Sequence, residues 1–222
     1  MKLSILSLLL FYSFLIGLDN ETLIYNLKFL DKDAGESTLS IKNDKKNNVY
    51  SLISSTKTNK LFDKLYKIRS QINVTLDPFD FSILKIEKKE IERKKRKLFR
   101  SIIDYDKMLA ISNEKTIRIP KKVYNPFGLI YYLRDKNIAL LDTFSFKTYD
   151  NDKLKDIKII AKTIETIKVP FGEFECILAE PEGKLLKGSM RIWFTNDAQK
   201  IPIKIERTTK NGVLKMLLKN ID

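Results

Sequence analysis

The sequence predicts a mainly β protein, in which an antiparallel sheet wraps into a β-roll or open barrel and one short helix could act as a lid. Apolar and polar residues alternate along most of the chain, which is typical of half-buried strands. Turn-forming residues separate these alternating runs. No repeat or Pro- or Gly-rich linker divides the chain, so the strands are expected to share one sheet.

An apolar segment opens the chain. Lys2 precedes an uncharged run from Leu3 to Leu18. This arrangement is typical of a secretory signal peptide, and the run is at the short end for a membrane-spanning helix, which needs about 20 apolar residues. We therefore expect export to the periplasm or cell envelope, with cleavage after Gly17. An uncleaved signal anchor is the alternative.

After this signal at residues 1–18, residues 19–222 are expected to form a single β-roll domain. Its first run places four apolar residues on one face, Leu23, Tyr25, Leu27 and Phe29. Turn chemistry follows at residues 31–35, where Gly35 can adopt positive φ, and again at residues 43–48. Alternation resumes at Leu39–Ile41 and Val49–Ile53.

Residues Asn59 to Ile68 predict the one short helix. The apolar side chains of this segment fall at helical spacing, at Leu61, Phe62, Leu65, Tyr66 and Ile68. We expect the helix to cover the core rather than to recognise a partner.

The stretch from Phe79 to Tyr105 allows two interpretations. Its centre, EKKEIERKKRKLFR, has high helix propensity, and apolar residues fall at helix-compatible intervals. Its flanks partly alternate, as strands do, so a long charged hairpin is the rival interpretation. The residues alone leave both open.

The other segments again predict strands and turns. Asp77-Pro78 marks a turn, and Asn211-Gly212 is typical of a type I′ hairpin. The strands are expected at residues 72–76, 117–119, 138–146, 157–167, 174–178, 190–194, 201–205 and 213–218.

The composition disfavours an enzyme. The chain has no histidine, which removes the usual general base and the commonest metal ligand. With seven glycines it contains no glycine-rich phosphate loop. Cys176 alternates with Phe174 and Leu178, which predicts a small core residue rather than a nucleophile. We assign no catalytic residue, no metal site and no cofactor.

Positive charge is the main electrostatic feature. The formal net charge of +14 favours anionic partners such as lipid or an anionic envelope polymer, although a composition rich in Lys, Ile and Asn explains it equally well. Nucleic acid is not expected, because aromatic residues do not interleave with the charges. A solvated face relieved by neighbouring acids is the alternative to a binding surface. The candidate residues for contact with an anionic surface are Lys88, Lys89, Arg93, Lys94, Arg96 and Arg100.

Three motifs in order carry a family resemblance. They are NPFGLIYYLR at residues 125–134, ETIKVPFGEF at 165–174 and MRIWFTND at 190–197. Together they resemble the secreted bacterial domain-of-unknown-function family 3108, which usually has Asp at the position of Asn125 and Leu-Ser at that of Phe127-Gly128. The resemblance implies a spiral β-roll of the bacterial envelope and no established activity. It also favours the hairpin over the helix at residues 85–105.

The motif residues suggest where a ligand would bind. Small rolls and barrels often enclose apolar cavities, so Tyr132, Arg134 and Trp193 are the candidate ligand contacts, with a scaffold role as the alternative. The leading hypothesis is a monomeric, non-enzymatic envelope protein that binds lipid or another amphipathic ligand in its roll. The other hypothesis is a packed scaffolding module, without a cavity, that binds envelope proteins or anionic polysaccharide.

Overall fold

The computed structural model describes residues 20–183, 185, 188–209 and 212–222, so the predicted signal at 1–18 and Asn211 of the predicted hairpin turn lie outside them. Within these residues, fourteen strands form one antiparallel sheet, accompanied by two short helices. The first part of the chain contains β1 (Glu21–Phe29), β2 (Lys32–Asp44), β3 (Val49–Thr58), α1 (Lys60–Tyr66), β4 (Ile68–Leu76), β5 (Ile83–Glu92), β6 (Lys95–Asp104), β7 (Leu109–Ser112) and β8 (Thr116–Arg118). The second part contains α2 (Pro126–Asp135), β9 (Thr143–Asp150), β10 (Lys153–Val169), β11 (Gly172–Pro181), β12 (Met190–Thr195), β13 (Pro202–Thr209) and β14 (Gly212–Ile221).

The sheet consists of two meandering arms that meet where β1 pairs with β14. Its order is β8-β7-β6-β5-β4-β3-β2-β1-β14-β13-β12-β11-β10-β9, so within each arm every strand pairs with its neighbours in sequence. The ladder is open, with β8 and β9 at its edges. The predicted fold class, an antiparallel sheet wrapped as an open barrel, is confirmed.

The segment before α2 holds the two arms together. Ile83, at the start of β5, donates its backbone N–H to the Val123 carbonyl at 2.9 Å. The next residue, Tyr124, donates to Lys147 in β9 at 3.0 Å and accepts from Tyr149 at 3.0 Å. Since β5 and β9 belong to opposite arms, these bonds require the sheet to curl into a roll.

Apolar alternation drives this curling. Leu23, Tyr25 and Leu27 are inaccessible or nearly so, while the residues between them are partly exposed. Burying one face of every strand removes apolar surface from water and leaves the other face polar. The same cluster contains residues of both arms, and the Tyr25 hydroxyl donates to the Pro202 carbonyl at 2.9 Å inside it.

The predicted helix forms, but it does not cover the core. Asn59 caps α1 by accepting a hydrogen bond from the Phe62 N–H at 2.8 Å. None of the α1 residues is buried, and Leu61 and Leu65 are 76% and 77% exposed. Only Phe62 packs on the core, edge-on to Phe29 with ring centroids 5.8 Å apart.

A second helix, α2, was not predicted. Its cap, Asn125, accepts from the Phe127 N–H at 2.9 Å, and Pro126 occupies the first turn. An Asp at this position, as the family usually has, would cap equally well. Gly128 lets the helix approach the roll closely, because a Cβ there would lie 3.2 Å from a Leu76 methyl group.

The charged stretch after Phe79 is a hairpin, as the resemblance indicated. Strands β5 and β6 pair from Lys85 with Ile102 to Glu92 with Lys95, around a turn at Arg93-Lys94. Pairing of β5 with β4 and burial of Phe99 and Ile103 outweigh the local helix propensity. The strand predicted at 138–146 begins only at Thr143, because residues 138–142 turn out of α2.

The two helices mark opposite ends of the roll. The α1 end comprises the β1–β2 turn, α1 and the β5–β6 turn; the Arg93 N–H donates to the Lys67 carbonyl at 2.8 Å there. The α2 end comprises the start of β1, α2 and the β4–β5 turn, where Arg134 pairs with Glu21. Strand β1 runs from the α2 end to the α1 end.

Candidate anion-binding groove

The basic hairpin divides into an inward and an outward set. Lys89, Arg93, Lys94, Arg96 and Arg100 are exposed, as expected of a charged surface. Lys88 is only 5% exposed, because its side chain shares the inward face of β5 with Ile86. Its assignment to an anion-contacting surface is therefore wrong.

Lys88 instead ties the two arms of the sheet together. Its ammonium group forms an ion pair with Asp150, at the end of β9. Burial lowers the pKa of the Lys88 amine to about 8, with Glu90 opposing this change and Arg207 adding to it. The amine therefore remains mostly protonated at pH 7, as the ion pair requires.

A network of hydrogen bonds continues this connection. The Tyr149 hydroxyl donates to the Asp152 carboxylate at 2.8 Å and lies 2.9 Å from the Ser101 hydroxyl. The Ser112 hydroxyl donates to the same carboxylate at 3.0 Å. These contacts join the β9–β10 turn to β6 and β7, so the buried polar groups of this region have a structural role.

An open groove lies on the outside of the roll, across β3, β4, β5 and β6 and next to α1. Its volume is ≈ 620 Å³, within the range of about 300–1,000 Å³ that is usual for small-molecule sites. Adjacent outward residues of neighbouring strands form its floor, since Lys57 pairs with Arg69, Arg69 with Ile91, and Ile91 with Arg96. The residues lining it are Ser55, Thr56, Lys57, Arg69, Ser70, Gln71, Lys89, Glu90, Ile91, Arg96, Lys97 and Leu98.

The groove carries uncompensated positive charge. Arg69 is neutralised by Asp63, with 2.5 Å between the charged atoms. Hydrogen bonds from Arg69 and Thr58 hold the pKa of the Asp63 carboxyl at about 2. Four other basic residues of the groove form no ion pair with any residue that the structure describes: Lys57, Lys89, Arg96 and Lys97. Glu90 is the single acid among the lining residues.

The groove also exposes apolar surface. Leu98 is 49% exposed and Ile91 is partly exposed, and both lie among the unpaired cations. A cationic rim beside apolar side chains matches a molecule with an anionic head and a hydrocarbon part. Lys89 and Arg96 are among the contact residues predicted from the sequence, whereas Lys57 is not, because only strand pairing brings residue 57 beside the hairpin.

Tyr132 and Arg134 are held by the scaffold. The Tyr132 ring packs edge-on against Tyr124 and Phe146, with centroids 5.7 and 5.1 Å away. Arg134 forms a bidentate ion pair with Glu21, and its guanidinium lies 5.4 Å from the centre of the Tyr131 ring. The guanidinium therefore has a carboxylate partner and an aromatic partner within the protein.

Trp193 is buried, with 3% of its surface exposed, and it belongs to the same cluster of buried hydrophobic residues as Ile192 and Phe194. In the sheet it lies opposite Lys204 of β13. The Lys204 ammonium group lies 3.9 Å from the centre of the indole ring, and the indole N–H donates to Glu165 at 2.5 Å. Among the described residues, no contact joins Tyr132, Arg134 and Trp193 into one pocket.

The described part of the chain offers few groups for chemistry. It contains no group of three or more His, Cys, Asp or Glu residues placed to hold a metal ion. Cys176 is fully buried, and burial raises the pKa of its thiol to about 12, so the thiol is protonated and unreactive at neutral pH. A search of the same residues for a helix long and apolar enough to cross a membrane finds none.

Comparison with known proteins gives a family and a fold. No curated protein sequence is significantly similar to this chain. Among solved structures, a β-barrel-like protein of domain-of-unknown-function family 1849 from Brucella abortus is similar, with a TM-score of 0.63 and 11% identity over 92% of this chain and 97% of that one. At this identity the similarity concerns the fold alone.

Two further structures have TM-scores of 0.33. One, from Bacteroides fragilis, is described as an exported protein with a YmcC-like fold, with 11% identity over 92% of this chain and 96% of that one. The other, from Parabacteroides distasonis, is described as a lipoprotein, with 15% identity over 93% and 96%. The sequence profile of the protein of unknown function family DUF3108 matches residues 24–219. The chain therefore belongs to the DUF3108 family, as its three motifs indicated.

Proposed function

We propose that this protein is an exported, non-enzymatic envelope protein that binds an anionic amphiphile, such as a phospholipid or fatty acid, in its outer groove. The observation that carries the proposal is the combination of unpaired cations with Ile91 and Leu98 in one open site. The cations attract the anionic head group, and each contributes about 1 kcal/mol near a negatively charged surface. The apolar side chains remove part of the hydrocarbon from water.

The roll interior is a less suitable site. Large side chains from both arms occupy it, and Tyr25, Tyr131 and Phe194 are fully buried there. An acyl chain could enter only by displacing side chains that already pack together, whereas the groove is open. Because the interior is already packed, we place the ligand in the outer groove and not inside the roll, where the sequence led us to expect it.

The apolar N-terminal run supports export, and the neutral thiol and missing histidine support a non-enzymatic role. Export is tested by fractionating the producing cells. Recovery of the protein with the cytoplasm would contradict this part of the proposal.

Ligand binding is tested by titrating the purified protein with a fluorescent lysophosphatidylglycerol. The variant Lys89→Glu/Arg96→Glu is expected to bind at least tenfold more weakly, because two attractive charges become repulsive. The matched control is Lys46→Glu/Lys115→Glu, which makes the same net charge change at exposed positions outside the groove. Equal affinities of the two variants would refute the groove as the site.

The filled interior also favours the second candidate, a packed module that binds anionic polysaccharide or envelope proteins through the same cations. Leu98→Asn distinguishes the two. It should weaken binding of the amphiphile severalfold, since it removes exposed apolar surface from the groove, and leave binding of a sulfated polysaccharide unchanged. If the polysaccharide alone binds, the second candidate replaces the first.

A further inference from the structure

Three large apolar side chains project into solvent at the α1 end. Leu61 and Leu65 are 76% and 77% exposed and follow each other by one helical turn on the outer side of α1. Leu30, in the β1–β2 turn, is 63% exposed. Single exposed leucines are common on soluble proteins, but three such leucines close together at one end of the roll call for an explanation.

Backbone contacts place these side chains on one surface. The Asn59 N–H, just before α1, donates to the Ala34 carbonyl at 2.9 Å, and the Asn59 side chain donates to the Asp33 carbonyl at 3.1 Å. The α1 helix is thereby fixed beside the β1–β2 turn. The ring of Phe62 against Phe29 fixes its orientation and leaves Leu61 and Leu65 facing outward.

The surroundings of the leucines are cationic. Six exposed basic residues of the α1 end, outside the groove, form no ion pair with a described residue: Lys32, Lys60, Lys64, Lys67, Arg93 and Lys94. Three of the nearby acids are paired, Asp31 with Lys215 at 2.6 Å, Asp33 with Lys28 at 3.9 Å and Asp63 with Arg69. Glu92, at the end of β5, accepts a hydrogen bond from the Tyr66 hydroxyl and forms no ion pair with a described residue, but the unpaired cations outnumber it. The end therefore presents net positive charge around apolar side chains.

Leu30 is also an unfavourable choice for its backbone position. It and Asp31 form a two-residue turn with φ of 48° and 61°, where Asn and Gly are preferred. A leucine in this left-handed region is strained. A residue that neither fits the turn nor packs in the core suggests a role outside the fold.

We infer that the α1 end docks on the surface of an anionic lipid bilayer, with Leu30, Leu61 and Leu65 entering the head-group region. Apolar side chains ringed by Lys and Arg are the combination that binds such interfaces, through buried apolar area and attraction to anionic lipid. This surface is distinct from the groove, because it contacts a bilayer rather than a single amphiphile. Docking at the α1 end would also hold the adjoining groove close to the bilayer, which is the source of the proposed amphiphile.

Charge complementarity selects the bilayer over a second copy of this chain. Two copies meeting through their α1 ends would bring the same uncompensated cations together, which is unfavourable. An anionic bilayer instead attracts all of them at once. A dimer remains a measurable outcome that would overturn the inference.

The first test is sedimentation of the exported protein with vesicles. Vesicles of phosphatidylglycerol and phosphatidylcholine should bind it at low salt, and vesicles of phosphatidylcholine alone should not. Leu61→Ser/Leu65→Ser should weaken binding at least tenfold. Phe79→Ser is the matched control, because Phe79 is 80% exposed at the α2 end, beside Asp77 and Asp80, and should leave binding unchanged.

A second test does not depend on how the N-terminal run behaves. A polarity-sensitive dye is attached to Leu65→Cys or to Phe79→Cys, which is feasible because the native Cys176 is buried. On anionic vesicles the dye at position 65 should shift to the blue, and the dye at position 79 should not. No shift at 65, an equal shift at 79 or on neutral vesicles, or a dimer that Leu61→Ser/Leu65→Ser dissolves would each overturn the inference. Groove variants that lose lysolipid but keep this shift would separate it from the proposed function.

Discussion

Replacing the buried lysine should change how stability depends on pH. Lys88 lies inside the roll at 5% exposure, where it pairs with Asp150. Lys88→Met keeps most of the side-chain volume and removes the amine. The pair of Lys88 with Asp150 joins the two arms of the sheet. The variant therefore tests whether this residue of the hairpin is buried in the roll.

The magnitude follows from the lowered pKa. The Lys88 amine has a pKa of about 8 in the folded protein against 10.5 in the unfolded chain, so between these values the unfolded state binds more protons. Stability due to this group must therefore rise with pH: the penalty for burying the charge is present below pH 8 and disappears towards pH 10.5. At about 1.4 kcal/mol per pKa unit, the gain between pH 7 and pH 10 is about 2–3 kcal/mol.

The assay is urea unfolding at pH 7 and pH 10, followed by fluorescence of Trp193, the only tryptophan. The difference in unfolding free energy between the native protein and Lys88→Met should move by about 2–3 kcal/mol in favour of the native protein at pH 10. Titration of all other lysines cancels in this difference. A difference that does not change with pH would refute the burial of Lys88 and the arrangement of the hairpin.

Three further substitutions test the scaffold by thermal unfolding. Arg134→Met should cost about 3 kcal/mol, because it strands a mostly buried carboxylate without its partner, and Arg118→Met at an exposed position should cost little; equal losses would contradict the ion pair. Gly35→Ala should be far more destabilising than Gly183→Ala: both glycines have positive φ, but a Cβ at residue 35 would lie 2.1 Å from a backbone carbonyl and one at residue 183 would meet nothing within 4 Å. Asn125→Ala should cost about 1 kcal/mol through loss of the α2 cap, while Asn125→Asp should be neutral; a cost for the Asp variant would mean that the amide has another role.

The strands were predictable because their signal is local. One buried face repeats every second residue, and the run from Leu23 to Phe29 shows this alternation directly. The α2 helix escaped prediction for the opposite reason. It buries Leu129, Ile130 and Tyr131 in succession, so it lacks the polar stripe by which a surface helix is detected. The Asn-Pro pair at its start was the available signal.

The candidate site was only partly predictable because it depends on which strands meet. The basic hairpin was visible in the sequence, but its charge run concealed the inward position of Lys88, which only the strand register reveals. The partners of Trp193 were equally hidden, since the Lys204 ammonium group over its ring and the Glu165 carboxylate that accepts from its N–H lie on other strands. A buried cation and the polar end of a buried aromatic ring both depend on partners that only the strand pairing supplies.

The direction of β1 links the two ends of the roll to the fate of the N-terminal run. Glu21 lies at the α2 end and Phe29 at the α1 end, and nine residues of strand span about 30 Å. If Leu3–Leu18 remained in a membrane, the short stretch up to Glu21 would hold the α2 end near that bilayer and keep the proposed docking surface away from it. Docking of the α1 end on that same bilayer therefore requires cleavage, whereas a retained anchor would present this end to an anionic surface opposite. The mass of the protein isolated from its native cells decides between them: loss of the first 17 residues permits docking on either surface, and an intact N-terminus restricts the leucines to a facing one.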